Sequence, residues 1–217
     1  MGLFSGIGLH GNTQHQPQST MMYEDYAKYD PQLDGCVEDF TLAGGSDTPN
    51  NGLGYFLLKT VANTISGVAR GTYQLYTNMN YPIWVKIRTF VILNLSNNQT
   101  AFFGVSYNSN AWPIAGNKYC YVVCRDAARN WSLETNDGTT IINYPFTTAG
   151  QVYDMVGLYI SKGIAYVYVN GTLKTSGPMP AGMTQYMNMV GTHDSGVANA
   201  SIAQIGVSFW GFRRYSA

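Results

Sequence analysis

The stretch that most constrains the fold is Tyr153–Gly171, YDMVGLYISKGIAYVYVNG. Two β-patterned runs, Val156–Ser161 and Ile164–Asn170, flank Lys162-Gly163, and Asn170-Gly171 follows at once. Polar-Gly dipeptides between alternating apolar runs are the strongest short-range hairpin signal. Val156, Leu158 and Ile160 share one face of the first run, and Ala165, Val167 and Val169 share one face of the second. Both faces suit a common core. The opposite faces carry Tyr159, Tyr166 and Tyr168. An outer face of an antiparallel sheet is normally polar, so these tyrosines are expected to meet a partner, a ligand or a further layer.

The rest of the chain supports an all-β reading. Runs at Cys36–Leu42, Tyr55–Val61, Tyr73–Thr77, Trp84–Leu95, Ala101–Tyr107, Tyr119–Arg125, Trp131–Thr135 and Ile202–Tyr215 read as further strands. They are separated by turn-rich loops such as GGSDTPNNGLG and SGPMPAGMTQYMNMVG. In the last run Ala203, Ile205, Val207 and Phe209 are expected to face inward. About ten strands with no helix of core length predict a two-sheet antiparallel sandwich or jelly roll. Trp84–Leu95 is expected to pair with Ala101–Tyr107 across Asn97-Asn98.

Residues 1–35 differ from the remainder. They carry the polar run GNTQHQPQST and no sustained hydrophobic period. They read as an extended N-terminal anchoring arm, with 36–217 as one β-sandwich domain. Tyr23 and Tyr26, with Tyr29, are placed near one side of a short helix before Pro31. These two join Tyr159, Tyr166 and Tyr168 as expected interface residues.

Charge and chemistry narrow the function. Only 11% of residues are charged and the formal net charge is zero. Nucleic acid is excluded as the main partner, because phosphate neutralisation needs a basic patch. No run reaches the ~18 apolar residues of a membrane span, and the N-terminus lacks the basic start of a secretory signal. Cys120 and Cys124 fall four apart on one strand, about 13 Å, too far for a disulfide. They and Cys36 are expected as free thiols, which points to a reducing folding environment.

No catalytic, metal or cofactor set stands out. Retaining glycoside hydrolysis needs two carboxyl groups about 5–5.5 Å apart. Glu38-Asp39 is adjacent and splits across the faces, and Glu134 and Asp137 are read as straddling a turn. His193, Asp194 and Ser195 point apart in extended chain and read as a polar surface loop. Asp47 or Asp194, with nearby loop carbonyls, could hold calcium, but each offers only a small part of the six to eight oxygens that such a site needs. The chain is therefore expected not to be an enzyme. What remains is aromatic: Trp112, Tyr119, Tyr121, Trp131, Tyr159, Tyr166, Tyr168 and Trp210. Such rings serve protein interfaces and sugar-stacking platforms.

With these residues laid out, the blocks NKYCYVVCRDAARNWSLETNDGTT and LYISKGIAYVYVNGTLKTSGPMP resemble concanavalin A-like (laminin-G-like) domains of bacteriophage virion proteins. The matching points are Trp131, Asp137, Gly138, Thr139, Asn170, Gly171 and Pro178, and the resemblance covers about residues 84 to 215. It implies a concanavalin A-like jelly roll in a virion, made in the host cytoplasm, and no catalytic residue. The expected function is a structural virion protein. It would be a capsid decoration (cement) protein that stabilises the head through its arm and through contacts between subunits. Its partners would be further copies in a homotrimer and a major capsid or tail protein. The alternative is a carbohydrate- or receptor-binding tail module, with Trp112 and Trp131 as exposed rings against a surface glycan. A glycanase is the third reading.

Overall fold

Lys162-Gly163 closes the expected hairpin. Both residues have positive φ, 50° and 74°, and Asn170-Gly171 repeats the pattern at 49° and 82°. Positive φ at both central positions is the two-residue turn whose twist matches that of paired strands. The first turn joins β11 (Met155–Ser161) to β12 (Ile164–Val169), and the second joins β12 to β13 (Thr172–Pro178). The computed structural model describes residues 21–27, 37–42, 46–50, 55–72, 82–89, 99–109, 112–125, 131–146, 155–194 and 204–215.

The remaining strands complete two antiparallel sheets. Sheet A runs β13, β12, β11, β6 (Ile83–Thr89), β15 (Gln204–Tyr215), β4 (Tyr55–Lys59) and β3 (Ser46–Asn50). A further strand, β1 (Met21–Ala27), pairs with the far half of β15. Sheet B runs β10 (Ile141–Phe146), β9 (Trp131–Asp137), β8 (Lys118–Cys124), β7 (Gln99–Ser106), β14 (Met187–Asp194), β5 (Ser66–Thr72) and β2 (Val37–Leu42). Among the described residues there is no helix. The protein is an all-β, two-sheet antiparallel sandwich of jelly-roll type.

The core lies between the sheets. Val85, Ile87, Val156, Leu158, Ile160, Ala165 and Val167 from sheet A meet Phe103, Val105, Val122, Leu133 and Val190 from sheet B. Burying one such side chain contributes about 1.5–3 kcal/mol. The hairpin faces read from the sequence are the faces observed, and Ile205 of β15 also lies in this core. Cys120 and Cys124 are buried free thiols, and burial pushes the Cys120 thiol far up. At one margin Tyr144 of β10 closes over Gly177 of β13; a Cβ there would meet its ring at 2.5 Å.

Several expectations change. β6 and β7 do not pair: β6 lies between β11 and β15, and β7 between β8 and β14. The two strands therefore lie in different sheets. The segment 176–191, read as one long loop after the hairpin, is shorter than expected, because β13 runs on to Pro178 and β14 begins at Met187. Residues 21–27 form a strand, not a helix, so this part of the expected arm belongs to sheet A. The side chains of Tyr23, Tyr26 and Trp210 lie outside the described residues, as do Tyr29, Cys36 and the run 73–77.

Candidate functional site

Both outer faces carry clusters. On sheet A, Trp84, Tyr159 and Tyr168 form a buried aromatic group, with the half-buried Tyr166 against it. The register explains the group: Tyr159 is the cross-strand partner of both Trp84 and Tyr166. Trp84 and Tyr159 stack at 4.8 Å, and Tyr159 and Tyr166 at 6.0 Å, with planes within 30°. Rings stacked face to face stand up from the sheet, so their faces are already occupied by one another. Gly157, opposite Tyr168, leaves room for the Trp84 ring, which a Cβ would meet at 3.2 Å. Among the described residues, Trp84 Nε1 and the Tyr168 hydroxyl are buried without a hydrogen-bond partner. The expected outward placement of Tyr159, Tyr166 and Tyr168 is therefore observed, as a tight ladder and not an open row.

The outer face of sheet B carries a buried apolar cluster that includes Phe102, Tyr119, Tyr121, Val123 and Met189, with a charged pair at its β8–β9 side. Cys120, Val122 and Leu133 point into the core, so Tyr119, Tyr121, Val123 and Glu134 point outward by strand alternation. Tyr119 and Tyr121 stack at 4.7 Å. Glu134 is 3% exposed. Its carboxylate accepts from the Tyr119 hydroxyl, from Arg125 Nε at 3.2 Å and from Arg125 Nη2 at 2.7 Å. This is the bidentate fork that only arginine supplies. Arg125 Nη1 donates to Thr100 Oγ1 at 2.8 Å, and Nη2 also donates to the Pro113 carbonyl at 3.1 Å. The guanidinium is partly solvated: its side chain is 42% exposed. Burial, then the Glu134 charge, pushes the Tyr119 hydroxyl far up, so it stays a donor.

A short strap, Trp112–Asn117, lies over this face. The Asn136 amide donates to the Ile114 carbonyl at 3.1 Å. Trp112 sits against Gly67, where a Cβ would come within 2.9 Å of its ring. It also stacks on His193 at 5.6 Å and meets Phe102 edge-on at 6.1 Å. Burial holds the His193 imidazole at about 4; Asp194 raises it and Arg125 lowers it. The imidazole is neutral at pH 7.

Other sequence-predicted residues fall elsewhere. Trp131, expected as an exposed ring, packs in the main core against Phe103. Trp112, expected likewise, is buried beneath its strap. Both are drawn in because a large apolar ring gains more from burial than a loop end offers. His193 and Asp194 are not a surface loop: they end β14, and Asp194 accepts from the Gln99 amide at 2.9 Å. Ser195 and the side chain of Asp47 lie outside the described residues. Glu134 and Asp137 do not straddle a turn but share β9. Asp137 turns away to accept from Thr140 N and Thr139 N, which lower its carboxyl to about 2. The outward neighbour of Glu134 on β9 is Asn136, so that strand offers one carboxylate and one amide. Arg125, Glu134 and Asn136 were missed as a set. Their one visible signal is the alternating Tyr119-x-Tyr121-x-Val123-x-Arg125, which faces Glu134 only once the β8–β9 register is known.

No protein-family model and no curated protein sequence matches the chain. Solved structures do match in fold. The Emp47p carbohydrate recognition domain aligns with TM-score 0.57 at 12% identity, over 82% of this chain and 89% of its own. A Bacillus licheniformis β-glucanase aligns with TM-score 0.62 at 11% identity, over 89% and 98%. Alginate lyase A1-II′ aligns with TM-score 0.56 at 14% identity, over 75% and 81%. These are concanavalin A-like jelly rolls, so the fold implied by the resemblance stands, and nothing in them speaks for a bacteriophage setting. The expectation that the chain is not an enzyme is overturned: the fold it shares is one that a β-glucanase and an alginate lyase carry.

Proposed function

We propose that this protein is a saccharide-recognising jelly-roll module that takes its ligand on the outer face of sheet B. The observation that carries the reading is the Arg125–Glu134–Tyr119 cluster. An ion pair with its carboxylate buried adds little net stability, and a group displaced by burial and a charged neighbour, as the Tyr119 hydroxyl is, is characteristic of functional sites. Here the charges sit on the outer face of a sheet, beside the amide of Asn136 and the stacked rings of Tyr119 and Tyr121. Hydrogen-bonding side chains next to an aromatic ring suit a polyhydroxylated ligand. The neighbours support the same reading, since their names include a carbohydrate recognition domain, a β-glucanase and an alginate lyase. The test is affinity electrophoresis in gels containing β-glucan or alginate, with reducing ends and unsaturated products followed in parallel. Retardation or cleavage that Arg125→Ala weakens at least tenfold is the expected result. Mobility unchanged in every polysaccharide, with no product, would end the reading.

A second reading, a structural virion protein such as a capsid decoration protein, is favoured by the ladder on sheet A. The half-buried Tyr166 at its margin is the ring that a neighbouring copy or a capsid protein would meet. A homotrimer by light scattering, dissociated by Tyr168→Ser with Tyr166→Ser, is the expected result there.

A further inference from the structure

Resting on the sheet B reading, we propose that the strap Trp112–Asn117 is a built-in pseudo-ligand. Its own carbonyls occupy the donors that hold the saccharide, and binding requires it to move aside.

The argument begins with the strap's backbone. Among the described residues none of its amides pairs with a strand. Its backbone bonds are internal, Ile114 N to the Trp112 carbonyl at 2.7 Å and Asn117 N to the Ile114 carbonyl at 3.5 Å. The first is the three-residue turn that suits a proline at its centre. Asn117 Nδ2 adds a third internal tie to the Trp112 carbonyl at 3.0 Å. The strap is thus a self-knit unit, held to the sheet by few contacts. Two are hydrogen bonds, from Arg125 Nη2 to the Pro113 carbonyl and from Asn136 Nδ2 to the Ile114 carbonyl. The third is the Trp112 ring in its seat on Gly67 and His193.

Those two sheet-side groups are donors fixed by other bonds. Arg125 is aimed by Glu134 and Thr100, and Asn136 is oriented because its Oδ1 accepts from Gly138 N at 2.9 Å. Each therefore presents an N–H outward whether or not the strap is in place. A carbonyl oxygen and a sugar hydroxyl oxygen are equivalent acceptors for such donors. Ile114, Ala115 and Gly116 are exposed above them, whereas Trp112 and Pro113 are buried, so displacing the strap uncovers the apolar cluster of Phe102, Tyr119, Tyr121 and Val123 against which Trp112 packs, and that surface is what a bound saccharide would cover again. A site of pre-aimed donors masked by a loosely tied segment binds with an affinity reduced by the fraction of time it is open.

The test uses the full chain. Trp112→Ala removes the anchor, and Pro113→Gly loosens the turn while keeping the ring. Neither variant touches Arg125 or Asn136. Hydrogen exchange of the Ile114–Asn117 amides reports strap release without any saccharide. Binding of β-glucan and alginate oligosaccharides is then measured by calorimetry. Faster exchange with an affinity at least fivefold higher in Pro113→Gly is the expected result. Faster exchange with unchanged or weaker binding would overturn the proposal and make the strap part of the site. Released strap with no binding by wild type or either variant would instead remove the saccharide reading on which it rests.

Discussion

Glu134 and Arg125 do not bear equally the loss of the other. Removing Arg125 leaves a carboxylate that is 3% exposed, whereas removing the charge of Glu134 leaves a guanidinium that water already reaches. Arg125→Ala should therefore cost about 3 kcal/mol, and Glu134→Gln about 1 kcal/mol, the smaller figure reflecting solvent screening at Arg125. Urea denaturation of both variants checks the order. His193 gives a pH prediction. Its folded value, about 4, lies below the ordinary 6.5, so the native state binds fewer protons between those values than the unfolded chain. Its contribution is fully present above about pH 6.5 and is lost as pH falls towards 4. His193→Phe keeps a ring against Trp112 and should flatten the urea midpoint over that window. An unchanged slope would show that other groups set it. Tyr168→Phe removes a buried hydroxyl that has no partner among the described residues and should stabilise the isolated chain by up to about 1 kcal/mol, read as a rise in melting temperature.

At the scale of the element, the turns make the sharpest case. Lys162 adopts a φ of 50° that strains a residue with a Cβ. Lys162→Asn should raise stability by about 0.5 kcal/mol, since asparagine tolerates that region better, and Gly171→Ala should lower it by about 1 kcal/mol. Thermal melts of the two variants should move in opposite directions. These turns were legible in the sequence because their signal is local. Strand β14 was not. Every residue of MNMVGTHD is buried, so it shows no alternation to read. Strand β13 hid for the opposite reason: Gly177 and Pro178 read as loop, yet an edge strand tolerates both. The site failed to show itself on similar grounds. Arg125 and Glu134 are nine residues apart, and only the antiparallel register of β8 with β9 carries the guanidinium along the strand to the carboxylate. A search for paired carboxyls passed over Glu134 because its partner is a cation.

At the scale of the whole molecule, the sandwich divides its outer faces by chemistry. Sheet A carries stacked rings with donors left orphaned among the described residues, and sheet B carries an aimed polar network under a strap. The two can fail independently. Tyr166→Ser with Tyr168→Ser should leave saccharide retardation within about twofold, because the sheets are separated by a core roughly 10 Å thick. Loss of both binding and helix-free circular dichroism in that variant would mean the ladder also supports the fold. The strand order carries one more consequence, for how the protein is made. Strand β14 sits in the middle of sheet B and β15 in the middle of sheet A, although they are the last two strands described. Until they emerge from the ribosome, β7 cannot reach β5, and β6 cannot reach β4. A nascent chain synthesised from its N-terminus therefore holds two half-sheets with open, adhesive edges until β14 and β15 have both been made.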